Sequence, residues 1–389
     1  MKRIYLILLS LCMVFSLCGQ GKSKGLYIEI PYKGLNNGRI PVIEVSIKNM
    51  RYKFIVDTGS PFTSVTRLVV DECQLSIADD TRKVIDVYSI TNEQPLAIVE
   101  HLRIGGIPVK ALQAQVFDNN TRLFRCSGVD GIIGGDILKE FVVKFDSQSK
   151  LMILADKASR ITSGKLEWKK MATDFSKSYC WVRLNNGASD ELLFDSGNEY
   201  PRILIDSAAY QQCKEKNLLT FVEEEEGYGA DFKGLHGQIL FHKQFRALIA
   251  EFNFGGHTLR NIPVQEAPTT SIGFMMADLG DIILDYPRKR YCFIPFKDCE
   301  WKDIRNKANC GVIGSNLIIT VIWDKELSRT ITVGDRITQI GDQTFENMDD
   351  CYRTRLNLLL EQYATSGNST VWFEKPNGER YSLPAEAFL

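Results

Sequence analysis

Histidine is scarce in this chain: four among 389 residues, His101, His236, His242 and His257, with no HExxH and no clustered Cys/His spacing. A zinc centre would lack its usual ligands, so the four read as loop or strand-edge polar residues, and no metal and no cofactor is expected. A surplus of either charge is also lacking. The 47 Lys and Arg against 48 Asp and Glu leave a net charge of −1, which offers no basic groove for nucleic acid and no patch for an anionic membrane surface. Long apolar runs are missing beyond the first twenty residues, so no later segment reads as a transmembrane helix. Apolar residues at 44% and charged residues at 24% are ordinary for a globular protein, and the length allows two or three domains with their own cores.

Lys2 and Arg3 precede an apolar run from Ile4 to Leu17, after which the chain turns small and polar from Gly19 to Gly25. A basic start, a short apolar stretch and small residues for cleavage are the layout of a secretory signal, here residues 1–20. Phe15-Ser16-Leu17-Cys18 loosely resembles a bacterial lipoprotein box, which makes Cys18 a lipid-anchor candidate and the only expected link to a membrane. The chain is therefore expected to be exported, to the periplasm or envelope of a bacterium. Cys73, Cys126, Cys180, Cys213, Cys292, Cys299, Cys310 and Cys351 then matter, since an oxidising compartment permits disulfides. Buried unpaired thiols are the alternative, and the sequence leaves both open.

The chain carries one unit twice. Lys53-Phe54-Ile55-Val56-Asp57-Thr58-Gly59-Ser60 has a counterpart in Glu191-Leu192-Leu193-Phe194-Asp195-Ser196-Gly197-Asn198. In both, an apolar strand runs into Asp-Thr/Ser-Gly, preceded by a strand-like stretch (Val42–Val45, Cys180–Leu184) and a turn signal (Lys48-Asn49-Met50, Asn185-Asn186-Gly187). Downstream, His101–Gly106 echoes Glu251–Gly256, and Gly131-Ile132-Ile133-Gly134 falls against Thr270-Ser271-Ile272-Gly273. Asp57 to Gly134 is 77 positions and Asp195 to Gly273 is 78, and each copy closes on a strand pair, near 146–154 and 285–294. One Asp-Thr/Ser-Gly triplet is expected by chance ~0.2 times in such a chain and is more often a turn. Two at matched spacing, each ending an apolar strand, point to a duplicated lobe.

The chemistry of such a pair is specific. Two carboxyls in near-contact cannot both ionise, so they share a proton; one then takes a proton from water while the other polarises a peptide carbonyl. Glycine after the hydroxyl residue allows close backbone approach and offers its N–H to the carboxylate. The Thr58 and Ser196 hydroxyls are placed to hydrogen-bond across the axis relating the copies. Gly134 and Gly273 are placed to pack behind the two turns.

With Phe54–Ser60, Asp130-Gly131-Ile132-Ile133-Gly134-Gly135-Asp136-Ile137-Leu138 and Leu193–Gly197 in hand, the chain resembles the retropepsin- and pepsin-like aspartic proteases over roughly residues 27–297. The resemblance implies an all-β fold with two homologous acid-protease-type β-barrel lobes, 27–160 and 161–297, and Asp57 and Asp195 as the catalytic dyad. It also implies that Ser60 hydrogen-bonds the Asp57 carboxylate from outside, and that protein or peptide is the substrate. Two departures stand out: Ser271 replaces the apolar Ile132 of the first copy, and Asn198 replaces a small residue after the second glycine. Such enzymes close a β-hairpin flap over the substrate. The first-copy candidate is Tyr88-Ser89-Ile90-Thr91-Asn92, with Tyr88 as its candidate flap residue, and the second is Glu223-Glu224-Glu225-Glu226-Gly227-Tyr228-Gly229, with Tyr228. Plain solvent loops are the alternative for both, and a four-Glu run at a cleft rim would favour basic substrates.

After a polar stretch, Lys297 to Lys307, the sequence changes character. Gly311-Val312-Ile313-Gly314, the apolar Leu317–Ile322, then Ile331–Asp342 with its Gly334-Asp335, a helix near 348–363 and a last strand near 369–374 look like a small PDZ domain over 307–389, mostly β with one or two helices. PDZ domains hold peptide C-termini by strand addition, and Cys310–Gly314 is the candidate carboxylate loop. The leading reading is thus an aspartic-type endopeptidase. Its rivals are a catalytically silent peptide-binding protein and a structural envelope β-protein whose Asp-Thr/Ser-Gly segments are only turns.

Overall fold

The computed structural model describes residues 25–35, 40–85, 89–162, 164–198, 203–230, 241–297, 306–349, 351, 359–360 and 370–388. The signal segment with Cys18, and Tyr88 of the first flap candidate, lie outside the described residues. The fold is all-β.

Period-two alternation builds the first copy. Val45, Ile47, Tyr52 and Phe54 are buried between exposed Glu44, Arg51 and Lys53, so β1 (Ile40–Ile47) and β2 (Met50–Val56) pair as a hairpin with one face inward. Its turn, Lys48-Asn49, has both φ positive (48° and 70°), as the twist of a two-residue hairpin demands. There follow β3 (Ser64–Thr66), α1 (Arg67–Glu72), the hairpin β4 (Ile77–Ile85) and β5 (Thr91–Val99), β6 (Leu112–Phe117), α2 (Arg122–Ser127) and β7 (Gly131–Ile133). β7 inserts between β2, to which it runs parallel, and β3, to which it runs antiparallel; β6 flanks β3 in parallel.

The second copy repeats this path with β8 (Lys177–Arg183), β9 (Ser189–Asp195), β10 (Ile203–Ile205), α3 (Ser207–Glu215), β11 (Phe221–Gly229), β12 (His242–Phe254), β13 (His257–Glu266) and β14 (Ser271–Gly273). β14 is parallel to β9 and antiparallel to β10, and β13 is parallel to β10. The echo in the Gly-Gly turns holds as well: Gly105 and Gly106 have φ of 56° and 82°, Gly255 and Gly256 of 63° and 91°.

Three strands from each copy join in one central sheet. Tyr27–Pro31, Leu151–Ala155 and Val142–Asp146 pair in that order, and Val142–Asp146 then pairs antiparallel with Gly280–Asp285, followed by Arg290–Pro295 and Lys169–Asp174. The register Val142↔Asp285 to Phe145↔Ile282 relates the halves by an approximate two-fold. Beneath it the fully buried Phe145 packs against Phe194 and Phe274 of the other copy, at 6.2 and 5.2 Å between ring centroids. This shared core fixes the copies against each other and thereby sets where the two Asp-containing turns meet.

The C-terminal strands β15 (Ala308–Ile313), β16 (Asn316–Ile322), β17 (Arg336–Ile340), β18 (Thr370–Glu374) and β19 (Arg380–Pro384) enclose an apolar cluster of their own, from Ala308 to Phe388. They also grip both copies. β16 pairs with the end of β11 through Tyr228↔Ile322 and Gly229↔Val321. Arg246 lies over the Trp323 ring at 4.5 Å. On the other side Cys126 of α2 forms a disulfide with Cys351, beside an Arg125–Asp349 ion pair. Cys73, Cys180, Cys292 and Cys310 are buried free thiols, so both readings of the cysteines apply, to different residues.

Two placements differ from expectation. Glu223–Gly229 is not a solvent loop: it lies in β11, with a bulge at Glu223 (φ 50°) where pairing to β12 shifts register. Two of its acids are engaged, Glu224 with Lys214 (2.6 Å) and Tyr210, Glu225 with Arg246 (2.5 Å). Gly311, Val312 and Ile313 are not a carboxylate loop either. They form β15, antiparallel to β16, with Gly314 (φ 64°) in the turn, because the apolar alternation of Ala308, Cys310 and Val312 closes onto the cluster as a strand.

The disulfide closes a separation of 225 residues. Its removal by Cys126→Ser is expected to cost about 2–4 kcal/mol by releasing the unfolded chain. Thermal melting checks this: the variant and the reduced wild type should share one lowered Tm, and equal Tm values for oxidised wild type and variant would contradict it.

Candidate active site

β2 and β9 each deliver an aspartate to the same place. Phe54, Val56 and Phe194 are fully buried, so the strands are held to the point where Asp57 and Asp195 turn out of them. The Asp57 N–H donates to the Ile133 carbonyl of β7 at 3.0 Å, and Asp195 lies in register with Gly273 of β14. The parallel partner strand behind each turn thus comes from the Ile-Gly segment of the same copy.

Across the axis, four buried hydrogen bonds join the turns reciprocally. The Thr58 N–H donates to Ser196 Oγ (2.9 Å) and the Ser196 N–H to Thr58 Oγ1 (3.0 Å). Thr58 Oγ1 donates to the Phe194 carbonyl (2.5 Å) and Ser196 Oγ to the Val56 carbonyl (2.7 Å). Both side chains are fully buried, so each hydroxyl acts as donor and acceptor without competition from water.

The glycines fit under the opposite carboxyls. A Cβ on Gly59 would stand 2.6 Å from the Asp195 carboxyl carbon, and one on Gly197 would stand 2.6 Å from that of Asp57. Any side chain here would push the acids apart. Gly134 is required for the same steric reason behind the first turn, where a Cβ would meet the Phe62 backbone at 2.4 Å. Gly273 closes β14, and the next N–H, of Phe274, donates to the Asn198 carbonyl at 3.2 Å.

The two carboxyls face each other across the axis, each over the glycine of the opposite copy, and interact as one pair. Burial is the largest influence and raises both above the ordinary carboxylate range; the Asp57 charge then lifts Asp195 well above it. Asp57 Oδ1 accepts from the Gly59 N–H (2.8 Å) and the Ser60 N–H (3.0 Å), whereas Asp195 Oδ1 accepts from the Gly197 N–H (3.0 Å). The Asn198 N–H also acts on Asp195 and the Gly197 N–H also on Asp57, so three backbone donors against two favour the charge on Asp57 and the shared proton on Asp195.

Ser60 acts differently from expectation. Its hydroxyl donates to the Phe62 carbonyl two residues further on at 2.9 Å, so it is the backbone N–H that reaches the carboxylate. The two departures of the second copy meet each other: Asn198 Nδ2 donates to Ser271 Oγ at 3.2 Å, replacing an apolar contact by a hydrogen bond. Sequence reasoning assigned no role to Thr63 and Asp136. The Asp136 carboxylate accepts from the Thr63 N–H (3.0 Å) and Oγ1 (2.7 Å), and Thr63 Oγ1 accepts from the Gly134 N–H (3.2 Å), tying the Ile-Gly segment to the Asp57 turn. The Gly-Gly-Asp of the first motif was its only trace.

Other named candidates stand apart. Tyr228 is 54% exposed at the junction of β11 with β16, and Gly311–Gly314 belong to the C-terminal strands. Among the described residues, no group of three or more His, Cys, Asp or Glu is arranged to hold a metal ion.

Residues 43–137, which span the first turn and its Ile-Gly segment, match the family model described as aspartyl protease. No curated protein matches the chain.

Two tests follow from the geometry. Thr58→Ala deletes a donor and an acceptor of the cross-axis set and is expected to cost about 2–4 kcal/mol, with Thr58→Ser recovering most of it; thermal melting reads both. For Asp195, a carboxyl raised by folding stabilises the fold fully below the unfolded pKa, and that contribution is lost as pH rises through the folded value. Asp195→Asn has no such loss, so its Tm advantage over wild type should grow from acid towards neutral pH. A constant difference across that range would contradict the raised value.

Proposed function

We propose that the protein is an aspartic endopeptidase acting on protein or peptide chains, with Asp57 and Asp195 as its dyad. The observation that carries this reading is the facing pair of carboxyls, each seated over the glycine of the opposite copy and held there by the cross-axis bonds of Thr58 and Ser196. Ionised Asp57 takes a proton from water as the water oxygen adds to the scissile carbonyl carbon. Protonated Asp195 gives its proton to the carbonyl oxygen. Collapse of the resulting diol breaks the C–N bond, and a proton passes through the dyad to the leaving nitrogen. Thr58 and Ser196 hold the carboxyls in register, and the Gly59 and Ser60 N–H groups stabilise the Asp57 charge.

The two copies serve as the lobes of the enzyme, 27–160 and 161–297, and the hairpin β4–β5 as the flap of the first. The C-terminal strands form a PDZ-like unit over 307–389 that binds peptide C-termini by strand addition along the outer edge of β15, a mode that needs backbone pairing but no separate loop. Export to an oxidising envelope compartment is supported by the signal-like N-terminus and by the Cys126–Cys351 disulfide.

Asp57→Asn and Asp195→Asn should each lower turnover of an unfolded protein substrate by at least ~10³-fold, with fold retained on melting, because a dyad works as one unit. The pH–rate profile of the wild type should be bell-shaped and centred on the acid side, its limbs belonging to the pair. A transition-state mimic with a central hydroxyl should inhibit, whereas serine and cysteine reagents should not. Turnover that survives in either folded Asn variant would end the dyad assignment, and a wild type that cleaves nothing would favour the silent peptide-binding reading.

A further inference from the structure

β4 turns one face towards the Asp57 side of the molecule. Arg82 and Val84 are half-buried on that face, while Thr81, Lys83 and Ile85 are exposed on the other. Val84 packs against an apolar cluster that contains Ile55 and Ile132, the strand residues just ahead of and behind the Asp57 turn. Arg82 is the next residue along the same face. Its guanidinium lies 3.9 Å from the centroid of the Phe62 ring. Phe62 in turn accepts the Ser60 hydroxyl at its carbonyl, and the Ser60 N–H holds Asp57. A cation therefore stands three links from the dyad, at the level of the hairpin.

That cation is only partly used. Arg82 Nη1 donates to the Gln113 carbonyl at 3.3 Å, and among the described residues no carboxylate lies within ion-pair distance of it. The contact with Phe62 and the single bond to the Gln113 carbonyl leave further guanidinium N–H groups available. A fork fixed in this way is suited to accept a carboxylate through two parallel bonds. Glu224 and Glu225 of β11 are already paired with Lys214 and Arg246.

We propose that Arg82, positioned by Phe62, is a specificity-determining residue that selects peptide substrates with an acidic side chain near the cleaved bond. The inference rests on the proteolytic reading above. The Asp or Glu carboxylate of the substrate takes the remaining N–H groups of the fork while the backbone lies beneath β4–β5. A guanidinium that merely braces the hairpin on Phe62 would discriminate nothing.

The test uses the full-length protein and peptide sets identical except for Glu, Gln or Lys at each position flanking the cleaved bond. Wild type should prefer Glu over Gln at one position by about ten-fold in kcat/KM, the scale of a hydrogen-bonded charge pair, and the preference should shrink with added salt. Arg82→Gln should bring that ratio to about one and Arg82→Glu should invert Glu against Lys, whereas a bracing role would change all peptides alike. Arg82→Lys should keep part of the preference, and Phe62→Leu should reduce it by freeing the fork; these two carry the test if the other variants do not fold. Wild-type cleavage without acidic preference, or a preference unchanged in Arg82→Gln, overturns the inference and leaves the proteolytic reading intact. Failure of the wild type to cleave any peptide, or cleavage equal to that of Asp57→Asn, overturns both.

Discussion

Thr58 and Ser196 each donate to a backbone carbonyl of the opposite copy and each accept the other's N–H, in a site closed to water. These bonds connect residues 136 to 140 positions apart, and they hold only if both strands arrive at the correct height. Everything around them serves that condition. The shared central sheet fixes the angle between the copies, Phe145, Phe194 and Phe274 fill the space beneath, and β7 and β14 brace the turns from behind. The carboxyls are thereby placed over the opposing glycines, where burial raises their proton affinity and one proton suffices for two acids.

The copies share one scaffold but have drifted in how each turn is supported. In the first, Asp136 and Thr63 tie the Ile-Gly segment to the Asp57 turn through charge-assisted bonds. In the second, Phe274 occupies the core and Asn198 with Ser271 makes a neutral bond. The backbone donors of the two aspartates differ as well, three at Asp57 against two at Asp195, which favours the charge on Asp57 and the proton on Asp195. A perfectly symmetric pair would leave that choice open.

The C-terminal strands add a second constraint. They continue the second copy's sheet through β16 and β11 and are bonded covalently to α2 of the first. Gly229 makes the sheet junction possible. Its φ is 149°, and a Cβ at this position would stand 1.9 Å from the Thr320 carbonyl oxygen, which excludes other residues. One edge of β11 that would otherwise be open is thus partly covered.

Much of this was legible in the chain. The alternation of Val45, Ile47, Tyr52 and Phe54, the left-handed pair Lys48-Asn49, and the two Asp-Thr/Ser-Gly turns with their Ile-Gly segments are set by neighbours in sequence, through pleat, turn and steric rules that act over a few residues. The repeat itself pointed to both aspartates, because only a duplicated unit explains matched spacing. What lay beyond reach were choices made by distant groups. Whether the Ser60 hydroxyl or its N–H serves Asp57 depends on the Phe62 carbonyl; whether four glutamates line a rim or a strand depends on Lys214, Arg246 and the bulge at Glu223; and which cysteine meets Cys126 depends on how a C-terminal unit docks on α2. Local periodicity was enough to say which strands form and which residues end them. Hydrogen-bond partners, disulfide pairing and the side-chain surroundings of each carboxyl came from the folded chain alone, since they are set by packing between segments that have no fixed relation along it.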